Sequence, residues 1–306
     1  MAMTNRIKIG TRDSELATWQ AKSVAGLLKK SGIESEIIFV KSEGDLDLTT
    51  PLTEMGGKGV FTKALDDALI NETIDVAVHS YKDLPTENPL SLKVSAVLER
   101  EDPRDALVAP KGTEFLDDES FEAIIATSSN RRKAQWLHKY PNHNITNIRG
   151  NVNTRLKKLD ENEWQGAIFA AAGLKRINLE HHIASYLDWM VPAPAQGAIA
   201  VMIREDDFET DRIINPLNHL HTDLCTKIER DLLNEMEAGC SAPVGAYATI
   251  QDDMIYFYAV ALAIDGSLQY DIEVSAPVRD SAGLGRTAAS DLLAKGAGRL
   301  VEDLRK

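Results

Sequence analysis

Cysteine is scarce: two residues in 306 cannot form the disulfide framework that staples small secreted folds. Long apolar runs are missing as well. The longest, MIYFYAVALAI at 254–264, falls well short of the ~18 residues a membrane-spanning helix needs. Positive charge is in deficit, with 34 Lys and Arg against 47 Asp and Glu, a net charge of −13. Such a balance argues against a nucleic-acid partner, because phosphate neutralisation requires a positive field. The opening MAMTNRIKIGTRDS contains no apolar segment of the secretory kind, so no signal is expected. GGKG at 56–59 lacks the spacing of a nucleotide-binding loop. His181, His182, His219 and His221 lack the ligand framework of a zinc site, so they read as surface histidines and no metal is expected. No fixed-period repeat or low-complexity tract is apparent. These absences point to a cytoplasmic protein with neither a membrane nor a nucleic-acid partner.

What is present is an ordinary globular composition, 43% hydrophobic and 26% charged, in a chain long enough for two or three compact units. The first two-thirds alternates strand and helix patterns. RIKIG (6–10), SEIIFV (35–40), IDVAV (74–78), AIIAT (123–127), NITNI (144–148) and GAIFAAA (166–172) read as strands. A helix capped by Ser14 carries Ala17, Ala21, Val24 and Leu28 on one stripe and stops at Gly32; a second is expected from Lys58 to Ile70. This alternation predicts an α/β fold with mostly parallel sheets. The last third is different: a helix from about Asp223 to Met236, strands at 247–251, 254–264 and 270–276, and a final helix from about Gly283 onward predict a small α+β domain. Within the first two-thirds, 42–59 shows neither periodicity and reads as a mobile functional loop or as plain disorder.

The informative feature is the chemistry at the carboxyl end of each strand. RIKIG runs into Arg12 and Ser14, IDVAV into Lys82 and Asp83, AIIAT into Ser128, Arg131 and Arg132, NITNI into Arg149 and Arg155, and GAIFAAA into Lys175 and Arg176. Strand carboxyl ends line the ligand crevice of open α/β sheets, and helix N-termini there add N–H donors and positive potential. A net-acidic protein thus gathers cations on one rim, and arginine favours carboxylate or phosphate. Asp13 and Asp83 fall within it. Asp13 serves a helix N-terminus. Asp83 reads either as an ion-pair partner or as a carboxylate that stabilises a developing cation and moves protons. Cys225 shares a helical face with Ile228 and Leu232 and reads as core; Cys240 lies in the loop EAGCSAPVG and reads either as a thiol placed to react or as an idle surface cysteine, the commoner outcome on such a loop.

In this order, HSYKDLPTE (79–87), EREDPRDALV (99–108), ATSSNRRKAQ (126–135), NIRGNVNTRLKKLD (147–160), AAAGLKRI (170–177), PAQGAIAV (194–201) and EAGCSAPVG resemble the motifs of the porphobilinogen deaminase (hydroxymethylbilane synthase) family. With GTRDSELATWQA (10–21), the resemblance spans nearly the whole chain. It implies two doubly wound lobes like those of periplasmic binding proteins plus a small α+β C-terminal domain: residues 1–99 with 197–218, residues 100–196, and residues 219–306. It implies a dipyrromethane cofactor on Cys240 through a thioether, and a transferase of tetrapyrrole (haem) biosynthesis. That enzyme adds four porphobilinogen molecules stepwise, releases ammonia at each addition and hydrolyses the product to hydroxymethylbilane. Asp83 matches the catalytic aspartate that supports cationic azafulvene-like intermediates. Arg12, Ser14, Lys82, Ser128, Arg131, Arg132, Arg149, Arg155 and Arg176 match cofactor and substrate contacts, and Lys58 falls on the active-site cover. The expected partner is the small molecule porphobilinogen, bound by a monomer.

Three positions depart from the pattern: Glu15 where proline is common, Ala195 where glycine is frequent, and Ala238 in place of the first glycine before the cysteine. They touch loop geometry and leave the arginines, Lys82, Asp83 and Cys240 in place. A non-catalytic two-lobed anion-binding protein would share the rim but calls for a secretion signal. A ligand-sensing regulator calls for a basic helix-turn-helix, and none is apparent.

Overall fold

The computed structural model describes residues 6–41, 62–237 and 242–303. In chain order the first elements are β1 (Ile7–Thr11), α1 (Glu15–Lys30), β2 (Ser35–Phe39), α2 (Lys63–Ile70), β3 (Val76–Ser80) and β4 (Leu92–Val97). There follow β5 (Asp105–Val108), β6 (Ile124–Ala126), α3 (Asn130–Lys139), β7 (Asn144–Thr146), α4 (Val152–Asp160), β8 (Gly166–Ala170), α5 (Ala171–Arg176) and β9 (Ser185–Tyr186). The remainder comprises β10 (Ile199–Arg204), α6 (Phe208–Ile214), α7 (Leu220–Glu235), β11 (Val244–Gln251), β12 (Met254–Leu262), β13 (Gln269–Pro277), α8 (Leu284–Leu292) and α9 (Gly298–Asp303). The chain divides into two compact units, residues 1–101 with 198–223, and residues 102–197 with 224–306.

In the first unit the sheet order is β2-β1-β3-β10-β4. β1 pairs in parallel with β2 and β3, whereas β10 runs antiparallel to both β3 and β4. α1 forms where the sequence places it. Ser14, in extended backbone, accepts a hydrogen bond from the Ala17 N–H, and Lys29 and Lys30 meet the negative end of the helix dipole. Gly32, at φ 77°, ends it in a conformation that suits glycine. Ala21, Val24 and Leu28 bury against Ile9, Val76, Val78 and Val201, each larger side chain contributing about 1.5–3 kcal/mol.

The second unit holds two sheets. The first, in the order β7-β6-β8-β5-β9, repeats the plan: β6 is parallel to β7 and β8, and β5 is antiparallel to β8 and β9. In each sheet the antiparallel strand is the one entered just after the chain passes from one unit to the other. It therefore begins beside the carboxyl ends of its parallel neighbours, with Ile199 opposite Ser80 and Asp105 opposite Ala170. The second sheet, β11-β12-β13, is an antiparallel meander whose inner face packs Ala246, Ile255, Phe257 and Ile272 against Ile228, Leu232, Ala289 and Leu292 of α7 and α8. The expected α/β class with a small α+β C-terminal region is what the chain adopts, with an antiparallel strand in each larger sheet.

The final helix is not continuous. Residues Leu293–Ala297 form a wider turn, with Gly296 at φ 125°, between α8 and α9. A side chain at Gly296 would meet the Tyr270 ring at 2.7 Å. At Gly285 the neighbour is backbone: a Cβ would drive into the carbonyl oxygen of Ile228 on α7. Gly285→Ala is therefore expected to push α8 off α7 and cost about 1–3 kcal/mol. The check is the urea midpoint at unchanged slope; a wild-type midpoint would contradict this packing.

Candidate active site

The two sets of rim residues lie in different units. In the first, β1 delivers Arg12 and Ser14, and β3 runs into a short 3-10 turn, Tyr81–Asp83. Lys82 is half-buried there and Asp83 is exposed. Ser14 is committed as the helix cap, at 3.2 Å from the Ala17 nitrogen. Behind the turn, Ser80 accepts a hydrogen bond from the Gln20 amide at 2.8 Å, which ties the end of β3 to α1. His79 is buried at the same strand end. Burial, and secondarily the Arg12 charge, lower its pKa to about 4, so it is neutral at pH 7. The unfolded imidazole binds its proton near 6.5 and the folded one only near 4. This group therefore subtracts stability as pH falls through that window.

In the second unit three helices start at the rim. Ser129 caps α3 by accepting from Arg132 N–H, and Asn151 caps α4 by accepting from Thr154 N–H. α5 follows β8 directly. The Ser128 hydroxyl donates to the Ile148 carbonyl at 2.9 Å and accepts from the Ile148 N–H at 3.0 Å. It thereby holds the turn bearing Arg149 against the end of β6. Arg149 and Arg155 are half-buried, and Arg155 Nε donates to the Gly150 carbonyl at 2.8 Å. Arg176 is buried, with Nη2 donating to the Gly197 carbonyl at 2.6 Å.

Arg131 and Arg132 are 4% and 6% exposed, and both meet Asp105, which is 0% exposed. Arg131 Nη1 donates to Asp105 Oδ2 and to the Val191 carbonyl, each at 2.7 Å. Arg132 donates from Nε to Asp105 Oδ1 at 2.9 Å and from Nη1 to the Ile168 carbonyl at 2.8 Å; its Nη2 lies 2.8 Å from the same Oδ1. Gln196 adds a further donor to Oδ1 at 3.0 Å. Lys175 pairs with Asp102 at 2.7 Å, as does Arg104 at 2.8 Å. Burial raises the Asp102 pKa, but the hydrogen bonds from Arg104 and Lys175 outweigh it and hold the carboxyl far below the usual range. Sequence reasoning missed both carboxylates of DPRD (102–105); the available signal was an Asp at the head of the fully apolar strand DALV. Lys58 and Cys240 lie outside the described residues. Ala195 has φ 61°, the left-handed region that favours glycine, and its N–H donates to Glu229 Oε2 at 2.7 Å. That conformation accounts for a glycine preference at this position. Among the described residues no cluster of His, Cys, Asp or Glu suits a metal.

Residues 7–212 match the family model "Porphobilinogen deaminase, dipyromethane cofactor binding domain". The chain belongs to the porphobilinogen deaminase family. Residues 223–294 match the family's C-terminal domain. Porphobilinogen deaminase of Carboxydothermus hydrogenoformans is 39% identical over 99% of this chain and 99% of the relative. That of Syntrophotalea carbinolica is 39% identical over 98% and 96%. Among solved structures, the periplasmic VFT2 domain of Bordetella pertussis BvgS is similar at 15% identity and a TM-score of 0.41, over 69% of this chain and 86% of that one. The family fixes the class, a transferase with a dipyrromethane-binding domain. No helix among the described residues is long and apolar enough to cross a membrane.

Proposed function

We propose that this chain joins four porphobilinogen molecules head to tail on a dipyrromethane held by Cys240 through a thioether, with loss of ammonia at each addition, and then releases hydroxymethylbilane by hydrolysis. The observation that carries this reading is the set of cations at the strand ends of a chain with net charge −13. Pyrroles bearing acetate and propionate need such partners. The residues fit the group: no described protein acceptor meets Nε or Nη2 of the buried Arg131, and an edge of that kind suits a carboxylate. When bound, the dipyrromethane supplies the pyrrole terminus that is extended.

Each residue then has a role that its chemistry permits. Arg131, Arg132, Arg149, Arg155 and Arg176 hold carboxylates on one unit, with Ser128 serving the same site by fixing the turn that bears Arg149; Arg12, Ser14 and Lys82 hold carboxylates on the other, and Lys58 joins them from 42–59. Charge-assisted bonds of roughly 1.5–3 kcal/mol each, several at a time, retain a growing polyanion through successive additions. Asp83 stabilises the cation left when porphobilinogen loses ammonia and accepts the pyrrole proton. We also propose the domain division 1–99 with 197–218, 100–196 and 219–306, supported by the three separate sheets, and a monomer working in the cytoplasm. Supplied with porphobilinogen, the purified protein is expected to release one ammonia per molecule consumed and to yield a linear tetrapyrrole by mass. Porphobilinogen left intact would overturn this reading.

A further inference from the structure

We infer that Asp105 is the positioning residue that sets Arg131 and Arg132 in their working orientations, an inference resting on the proposed function above. Topology places it. β5 is antiparallel to β8, so its first residue sits at the rim where the parallel strands end, opposite Ala170 and next to α5. There the carboxylate is fully buried and filled: Oδ2 accepts from Arg131 Nη1, and Oδ1 takes Arg132 Nε and Gln196 Nε2, with Arg132 Nη2 at ion-pair distance. A buried charge is tolerated only with partners of this kind, and here two guanidiniums share one carboxylate.

The sharing is unequal. The side-on edge of a guanidinium, Nε with Nη2, is the fork that matches a carboxylate in two parallel hydrogen bonds. In Arg132 Asp105 occupies that edge, and Nη1 is spent on the Ile168 carbonyl. In Arg131 only Nη1 is spent, on Asp105 and Val191, and no described residue accepts from the Nε–Nη2 edge. Asp105 thus turns two consecutive arginines into a fixed pair with different jobs: Arg131 presents its fork to a pyrrole carboxylate, and Arg132 supplies charge from a locked position. Gln196, itself fully buried and bonded to the Pro103 carbonyl at 2.7 Å, holds Oδ1 in line. Pre-set donors of this kind bind without having to be ordered at the moment of capture.

The test uses full-length protein purified without the dipyrromethane and supplied with porphobilinogen. Adduct formation is followed by intact mass, and folding by circular dichroism and melting. Wild type is expected to gain the adduct; if it does not, the proposed function fails and this inference fails with it. Asp105→Asn keeps the shape and removes the charge. Its half-maximal porphobilinogen concentration for adduct formation is expected to rise at least tenfold. Asp105→Glu restores the charge but displaces the carboxylate, and it is not expected to rescue capture. A folded Asp105→Asn that captures porphobilinogen like wild type would overturn the inference and leave the proposed function standing. Should neither variant fold, Gln196→Met decides, because it loosens Oδ1 while leaving all three charges in place. A rise of threefold or more supports the positioning role, and an unchanged half-maximal concentration overturns it.

Discussion

Asp83→Ala is expected to cut turnover of porphobilinogen by roughly 10²–10⁴-fold, the range spanned by loss of a proton-transfer or charge-stabilising group. The fold should survive. Asp83 is an exposed side chain on a three-residue turn whose closing hydrogen bond, Leu84 N–H to the Tyr81 carbonyl at 3.2 Å, is backbone alone. Surface changes of this sort usually stay within about 0.5 kcal/mol. The check pairs single-turnover consumption of porphobilinogen with a melting curve. Near-normal turnover in a folded variant would take Asp83 out of the mechanism. A collapse of stability would instead assign it a structural role.

Cys240→Ala should lose turnover altogether, since no other residue is proposed to hold the primer. It is also expected to melt lower than the loaded wild type. The thioether persists in the unfolded chain, so the stabilisation comes from contacts the pyrroles make only in the native state, roughly 1.5–3 kcal/mol for each charge-assisted hydrogen bond. For a chain of this size each kcal/mol shifts the melting temperature by roughly 2–4 °C. Differential scanning calorimetry of both proteins measures the difference, and equal melting temperatures would deny the coupling of cofactor and fold.

Much of the fold could be read from short-range chemistry. The stretch from β1 through α1 was legible because Ser14, the stripe at Ala21, Val24 and Leu28, and Gly32 all agree on one helix. The buried strands β5 and β10 were harder. DALV and IAVMIR bury nearly every side chain and show no alternation, so they carry no strand period. The kink at Gly296 escaped for a related reason: glycine within an apolar helical pattern does not announce which ring lies beneath it. At the site, the cations were visible as residues just beyond the strands. Their internal partner was not. Asp105 lies 26 and 27 residues from its two arginines, and only the antiparallel insertion of β5 brings them together. Asp102, three residues earlier, likewise meets Lys175 across 73 residues.

The central claim is that a pyrrole primer sits on Cys240, and the intact mass of the purified protein with a peptide map across 237–245 tests it most directly. The expected result is a mass excess of one dipyrromethane, localised to Cys240 and absent from Cys240→Ala. An unmodified Cys240 that stays unmodified after porphobilinogen is supplied would contradict it.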